Sequence, residues 1–366
     1  MNGFSEITSL EQIQQLARQG FTNWKQFGDV SVERDGDLLI FNYTARAQYA
    51  GRWNFLERVS RGLIVHSKTG EIVARAFDKF YNWLQDGKRS DGHIIAVTEK
   101  LDGSLGILYR VDGEYRISTR GSFHSEQAEW ATRFLRDQYS LAGLPNELTL
   151  LFEIIYPANR VIVDYKGREA LILLAARNRL TGAYLPFFPD VLTLAQEFGF
   201  PTPKALNVND ITEIMAQMQK LYHDEEGFVV EFSDGQRFKF KGHKYLELHR
   251  LVFGLSFKNT LQAVMTDQVD AIRLRIPDEF LLQFNAWVNE IEATRARLKR
   301  EVTEIFEQAP KETRKEFAIW VMATHKDLSA YLFAMLDGYP IEPIIYRKAF
   351  ENRPNETAIS HSEDVA

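Results

Sequence analysis

The sequence predicts an α+β protein: a domain built mainly on antiparallel sheet, followed by an all-helical domain. Two observations carry this. Between about residues 30 and 241, short apolar-alternating runs are separated by Asp-Gly or Thr-Gly pairs, the pattern of successive hairpins. Beyond about residue 243 that signal stops, and apolar residues recur at helical spacing. The predicted boundaries are 1–245 for the sheet domain, 246–350 for the helical domain, and 351–366 for a polar, frayed tail.

In chain order, Ser9-Leu10-Glu11-Gln12 opens a first helix as a capping box, with Leu10, Ile13 and Leu16 on one face and Gly20 as its stop. Hairpins are expected at Asp35-Gly36, Thr69-Gly70 and Asp112-Gly113. A further one joins the apolar run Ile94–Val97 to Leu105–Leu108 through Asp102-Gly103. A helix follows from about Ser125 to Tyr139, then strands at 148–156 and 170–177, helices near 189–198 and 210–222, and a last hairpin at 227–232 and 236–241. Pro277-Asp278-Glu279 opens a long helix carrying Phe280, Phe284, Trp287, Ile291, Leu298, Val302 and Ile305. Stretches 311–324 and 327–336 read as further helices, with Gly338 and Pro340 as stop signals. At helical spacing Phe280, Phe284, Trp287 and Trp320 suit core better than base stacking. Arg295, Arg297, Lys299 and Arg300 alternate with Glu301, Glu304 and Glu307, the pattern of a solvated helix face.

The chain has 366 residues, 45% hydrophobic and 26% charged, the composition of an ordinary globular protein of about two domains. It has no apolar run long enough to span a membrane and no basic-then-apolar N-terminus, so neither a membrane span nor a secretory signal is expected. With no cysteine, disulfides and thiolate metal sites are excluded, and a cytoplasmic location is expected. A net charge of −6 argues against a protein that coats nucleic acid, but not against a local basic cleft. There is no P-loop and no Gly-x-Gly-x-x-Gly, so a nucleotide must be held in another way.

Charged residues interrupt several apolar strands, and a buried charge is costly unless it is paired or used. Lys100-Leu101-Asp102-Gly103 stands at the mouth of the expected turn, where a stiff support would hold the lysine. Arg61-Gly62 opens Leu63-Ile64-Val65, Lys79 precedes Phe80-Tyr81-Asn82, and Arg120-Gly121-Ser122 follows a strand. Glu153 sits inside Leu150–Ile155, and Glu226-Gly227 leads Phe228-Val229-Val230. Period two puts Lys239 and Lys241 on one face and Phe238 and Phe240 on the other. That suits a solvated edge strand or a triphosphate site equally well. Either glutamate could be a paired acid or an oxygen ligand of a metal. His124, His243 and His249 lack partner spacing and read as surface residues.

Taken together, Lys100-Leu101-Asp102-Gly103, Phe152-Glu153, Glu226–Val230 and Lys239-Phe240-Lys241 resemble motifs I, III, IV and V of the covalent nucleotidyltransferases. Arg61–Val65, Lys79–Asn82, Gly121–Ala128 and Phe152–Arg160 resemble more narrowly the RNA ligase 1 family of the phage tRNA-repair type. The resemblance covers about residues 35 to 250 with spacing preserved. It implies a nucleotidyltransferase (adenylyltransferase) domain in front of the helical one, since this family lacks the β-barrel that follows motif V in DNA ligases.

The implied activity is ATP-dependent joining of 5′-phosphate and 3′-hydroxyl RNA ends through lysyl-AMP and RNA-adenylate. The implied nucleophile is Lys100. Glu99, Arg61, Lys79, Arg120, Glu153, Lys239 and Lys241 would bind ATP or AMP. Glu226 would belong to a Mg2+ or Mn2+ site, with Asp102 as a second candidate. Arg120 stands where the phage type has lysine, which keeps the charge and leaves the contact geometry open. The implied partners are RNA ends, such as cleaved tRNA, and an end-healing kinase/phosphatase acting upstream. The chain would act as a monomer in the cytoplasm, of the cell or of a phage host. A fungal-type tRNA ligase module requiring a 2′-phosphate, and a catalytically silent RNA-binding protein, are the competing readings.

Overall fold

A computed structural model of the chain describes residues 4–222, 224–276 and 278–357. Contacts divide it into two units, Met1–Val252 and Phe253–Ala366. Strands of the first unit form three sheets. In chain order they are β1 (Val30–Asp35), β2 (Leu38–Tyr43), β3 (Arg61–His66), β4 (Ile72–Ala74), β5 (Tyr81–Asn82), β6 (Ile94–Lys100), β7 (Ser104–Val111), β8 (Glu114–Ser118), β9 (Leu148–Ile155), β10 (Ala170–Asn178), β11 (Ala205–Leu206), β12 (Gly227–Phe232) and β13 (Arg237–Lys241). The sheet orders are β1-β2-β3-β4, β10-β9-β7-β8 and β11-β6-β12-β13-β5, antiparallel except for the β13–β5 pair.

The turn residues do what their chemistry predicts in four places. Gly36, Gly70, Gly113 and Gly235 all take positive φ, joining β1–β2, β3–β4, β7–β8 and β12–β13. The capping box at Ser9 and Gln12 starts the helix Leu10–Arg18. That helix covers one face of the first sheet through Ile13, Leu16, Phe41 and Leu63. The other face, through Ile40 and Ile64, packs on Ile107, Leu151 and Ala175 of the second sheet. Helices Glu126–Gln138 and Leu192–Phe198 close the far side of that second sheet over Phe152 and Ile154.

The expected hairpin at Asp102-Gly103 is not formed. β6 pairs with β11 and β12, whereas β7 pairs with β8 and β9. Leu101, Asp102 and Gly103 therefore carry the chain from one sheet to another. Asp-Gly favours a turn, but which strand pairs with which is decided by burial of side chains far away in sequence.

The second unit is helical, with Phe257–Met265, the 31-residue Asp278–Gln308, Arg314–Thr324, Ser329–Leu336 and Glu342–Ala349. Pro277, the expected start of the long helix, lies outside the described residues. Phe280, Phe284 and Trp287 are core, as their spacing predicts. Arg295, Arg297 and Lys299 pair with Glu292, Glu301 and Glu342. The start of the polar tail is tied down: the Phe257 N–H donates to the Glu356 carbonyl at 2.8 Å and Trp287 Nε1 donates to its carboxylate at 3.3 Å. Residues 358–366 lie outside the described ones. No described helix is long and apolar enough to cross a membrane.

Candidate active site

Lys100 ends β6 at the crossing between sheets, and its link is held on every side. The Asp102 N–H donates to Tyr165 Oη at 2.7 Å. Asp102 Oδ2 accepts the Ile162 and Val163 N–H groups, both at 2.8 Å, while Oδ1 accepts the Tyr245 hydroxyl at 3.0 Å. The Gly103 N–H donates to Glu153 Oε1 at 2.9 Å, and a Cβ at Gly103 would come within 2.6 Å of the Ile154 carbonyl oxygen. Ser104 Oγ donates to Asn159, whose amide in turn donates to the Ile154 carbonyl. The support under Lys100 is therefore stiff, though it is an inter-sheet link and not a hairpin.

Register then places the other charges. Lys100 lies opposite Gly227, and Gly227 opposite Lys241; Val229 lies between Thr98 and Lys239. Lys100, Lys239 and Lys241 therefore share one face of the third sheet. The opposite face, with Val97, Phe228, Val230, Phe238 and Phe240, is packed against Ile214 of the helix Ile211–Met218. Glu99 alternates onto that second face, across from Phe228, so its side chain does not join the lysines; its N–H donates to the Lys204 carbonyl at 2.8 Å.

Glu226 is 5% exposed, and its Oε1 lies 2.7 Å from Lys100 Nζ and 3.7 Å from Lys241 Nζ. Gly227 makes this possible. At φ 144° its place for a Cβ is 1.9 Å from the Phe240 carbonyl oxygen, so only glycine lets the chain bring Glu226 so close to the lysines.

Glu153 reaches the same spot from β9. It points away from Phe152 and Ile154, onto the face that carries Leu105 and Ile172. Burial pushes its carboxyl up to about 8, opposed by Lys100 and the Gly103 N–H and reinforced by Glu226 and Asp102. The folded chain thus keeps a proton that the unfolded chain releases near 4.5, so stability falls as pH rises from about 4.5 to 8. This one group contributes at most about 1.4 kcal/mol per pH unit. Thermal unfolding followed across that range should show a shallower fall in Glu153→Gln than in the native chain. Equal slopes would show that Glu153 is ionised throughout.

Arg61, Lys79 and Arg120 converge on a neighbouring residue that sequence reasoning did not single out, Tyr43. Arg120 Nη1 donates to Tyr43 Oη at 2.9 Å, with its guanidinium 4.8 Å from the ring centre. Lys79 Nζ lies 5.8 Å from that ring and 4.9 Å from the ring of Trp53, which packs edge-on against Tyr43. Arg61 is held below its ordinary basicity by burial, with Arg120 adding to the effect. Its Nη1 is buried without a hydrogen bond among the described residues, a cost that an oxygen-rich ligand would remove. The Phe80 ring links this group to the lysines, with Arg61 5.6 Å from one side and Lys239 Nζ 5.7 Å away. The result is a basic strip running from Arg120 through Arg61 and Lys239 to Lys241 and Lys100.

His124 and His243 are exposed, as expected, but His249 is buried beside Tyr245. Burial and the nearby Lys241 charge push it down to about 4, with Asp102 opposing. The spacing of Tyr245 and His249 on the helix His243–Phe253, one turn apart, is the sequence signal that could have found it. No group of three or more His, Asp or Glu able to hold a metal occurs among the described residues. A magnesium ion takes only one or two protein carboxylates alongside water and phosphate oxygens, and Glu226 fits that donor set.

Residues 59–246, just over half of the chain, match the model of a family described as RNA ligase. A provisionally assigned bifunctional polynucleotide kinase/RNA ligase of Autographa californica nuclear polyhedrosis virus is 29% identical over 265 residues, covering 64% of this chain and 37% of the viral protein. An RNA ligase of Rhodothermus phage RM378 is 24% identical over 391 residues, covering 84% of this chain and 87% of its own length. A structure of the Naegleria gruberi RNA ligase with pyrophosphate overlaps 43% of this chain and 52% of that one at 24% identity and a TM-score of 0.35. The chain thus spans only about a third to a half of some of its relatives.

Proposed function

The chain belongs to the RNA ligase family, and on that premise we propose that it is an ATP-dependent RNA ligase joining 5′-phosphate to 3′-hydroxyl ends. The observation that carries this reading is the Lys100–Glu226 pair, at 2.7 Å, standing at one end of the basic strip. Lys100 Nζ attacks the α-phosphorus of ATP. The N–P bond forms as the bond to the bridging oxygen breaks, and pyrophosphate leaves with that electron pair. The AMP then passes to an RNA 5′-phosphate, and a 3′-hydroxyl displaces it.

Each residue has a task in that scheme. The Lys100 ammonium must give up a proton to solvent and part from Glu226 before a lone pair on Nζ can reach phosphorus, and the freed carboxylate is the candidate ligand for Mg2+ or Mn2+. The ion, when bound, would offset charge on the phosphate oxygens during in-line displacement. Lys239, Lys241, Arg61, Lys79 and Arg120 hold phosphates; Arg61 Nη1 gains the partner it otherwise lacks. Glu153, when protonated, can donate to a ribose oxygen as well as accept from Gly103. Asp102 already has three donors around it, so we assign it to holding the link and leave the metal to Glu226.

The substrate class we propose is broken RNA such as cleaved tRNA, met by a single chain in the cytoplasm of the cell or of a phage host. The viral relative's name couples ligase to polynucleotide kinase, which supports an end-healing kinase upstream.

Incubation with α-labelled ATP and Mg2+ or Mn2+ tests the reading. It should leave label on the protein that survives base and is lost in acid, as a phosphoramide is. Absence of label would refute it. Glu226→Ala should lose the metal-dependent label with the first unit still folded, and undiminished labelling would remove Glu226 from the site. RNA and DNA strands with defined ends, including 2′-phosphate, then assign the substrate.

A further inference from the structure

Beside the basic strip lies a cavity of about 540 Å³ between the helix Phe55–Val59, β5 and the start of β13. Four cations line it: Arg58, Lys79, Lys88 and Arg89. We infer that this cavity binds a backbone phosphate of the RNA strand, separately from the ATP phosphates; the inference rests on the ligase reading above.

Charge and geometry both point that way. Lys79, only 9% exposed, belongs to both places: its ammonium lies 4.9 Å from the Trp53 ring and 5.8 Å from the Tyr81 ring. Lys88 Nζ sits over that same Tyr81 ring at 4.3 Å. Asp78, which also lines the cavity, is already engaged by the Arg177 guanidinium at 2.9 and 3.0 Å. Arg58 and Arg89 are exposed and form no ion pair among the described residues. Two guanidinium forks without a carboxylate, at the rim of an aromatic-walled cavity, suit the paired oxygens of a phosphodiester. The Arg58 carbonyl accepts the Lys79 N–H at 3.0 Å, which ties the rim to the wall shared with the nucleotide site. A strand phosphate held here would lie next to the cations proposed for ATP, where an RNA end must come to receive AMP.

The double variant Arg58→Ala/Arg89→Ala in the full chain tests this against 5′-phosphorylated single-stranded RNA. Both side chains are exposed, so thermal unfolding should be unchanged. Label from α-labelled ATP should persist at the native level, while RNA affinity falls at least about tenfold. The slope of log K against log salt should shrink by about 1.4, at roughly 0.7 per lost contact to a single strand. Arg58→Lys/Arg89→Lys should keep the salt slope and recover part of the affinity. Native affinity and slope in the alanine variant would overturn the inference. So would loss of the ATP label with RNA binding intact, which would give the cavity to the nucleotide's phosphates. A native chain that takes label but shows no salt-dependent RNA binding would overturn it too. A native chain that takes no label refutes the ligase reading itself.

Discussion

Lys100→Ala is expected to abolish covalent labelling by α-labelled ATP completely, and Lys100→Arg to abolish it just as fully. The two variants fail for different reasons, which makes the pair informative. Lys100 is partly exposed at 21% of its side chain and faces the buried Glu226 carboxylate. Alanine removes the nucleophile and one of the two ammonium groups around that carboxylate. Lys241, at 3.7 Å, stays as its partner, so the stability cost is on the order of 1–3 kcal/mol and not that of a fully stranded charge. Arginine keeps the positive charge beside Glu226 and should unfold close to the native temperature, but its delocalised guanidinium holds no lone pair for phosphorus. Label loss in both variants, with stability preserved in the second, isolates nucleophilicity from charge. A base-stable label persisting in either would place the covalent bond on another residue. Sealing of a pre-adenylated RNA strand bypasses the first step and should survive in part in Lys100→Ala, a readout that simple unfolding would not spare.

Much of this site was legible in the chain because it depends on short-range pattern. Period-two alternation placed Lys239 and Lys241 opposite Phe238 and Phe240, and the register bears that out. Asp-Gly and Thr-Gly pairs marked four real hairpins by their need for positive φ. The fifth failed for an instructive reason. Ile94–Val97 and Leu105–Leu108 are each good strands, and nothing local says whether they pair with each other or with β12 and β9. That choice is made by Phe228, Val230, Phe152 and Ile154, residues more than 40 positions away, whose burial on opposite sides requires two sheets. Tyr43 was invisible for the same kind of reason. At the end of a strand it looks like any half-apolar residue, and only the folding of β2 beside Arg120 and Lys79 makes it the ring on which the cations gather. His249 shows the converse: a polar residue buried by a helix whose apolar face also carries Tyr245 and Leu246. Motif order found the charged residues; tertiary contact found what holds them.

Asp102 is where those two kinds of information part, and its variants should separate them. Asp102→Ala strands the Ile162 and Val163 N–H groups and the Tyr245 hydroxyl at a residue only 6% exposed. Leaving several buried donors unmet costs about 3 kcal/mol or more. It also frees the link that aims Lys100, so labelling should fall about 100-fold, the scale expected when a reacting group is misplaced by an ångström. Asp102→Asn should be far milder. Its amide oxygen can still accept from both backbone N–H groups. Its NH2 then faces Tyr245, whose hydroxyl rotates from donor to acceptor. Stability should stay within about 1–2 kcal/mol of native, and labelling within about tenfold. Were Asp102 a metal ligand instead, losing its charge would matter more than losing its shape. The asparagine variant would then fold normally yet label as poorly as alanine, and raising Mn2+ would restore part of the signal. The Tyr165 hydroxyl, which accepts the Asp102 N–H at 2.7 Å, gives an independent check through the backbone. Tyr165→Phe removes that acceptor without touching the carboxylate. If Asp102 serves to hold the link, Tyr165→Phe should slow labelling in the same direction, with its metal dependence unchanged.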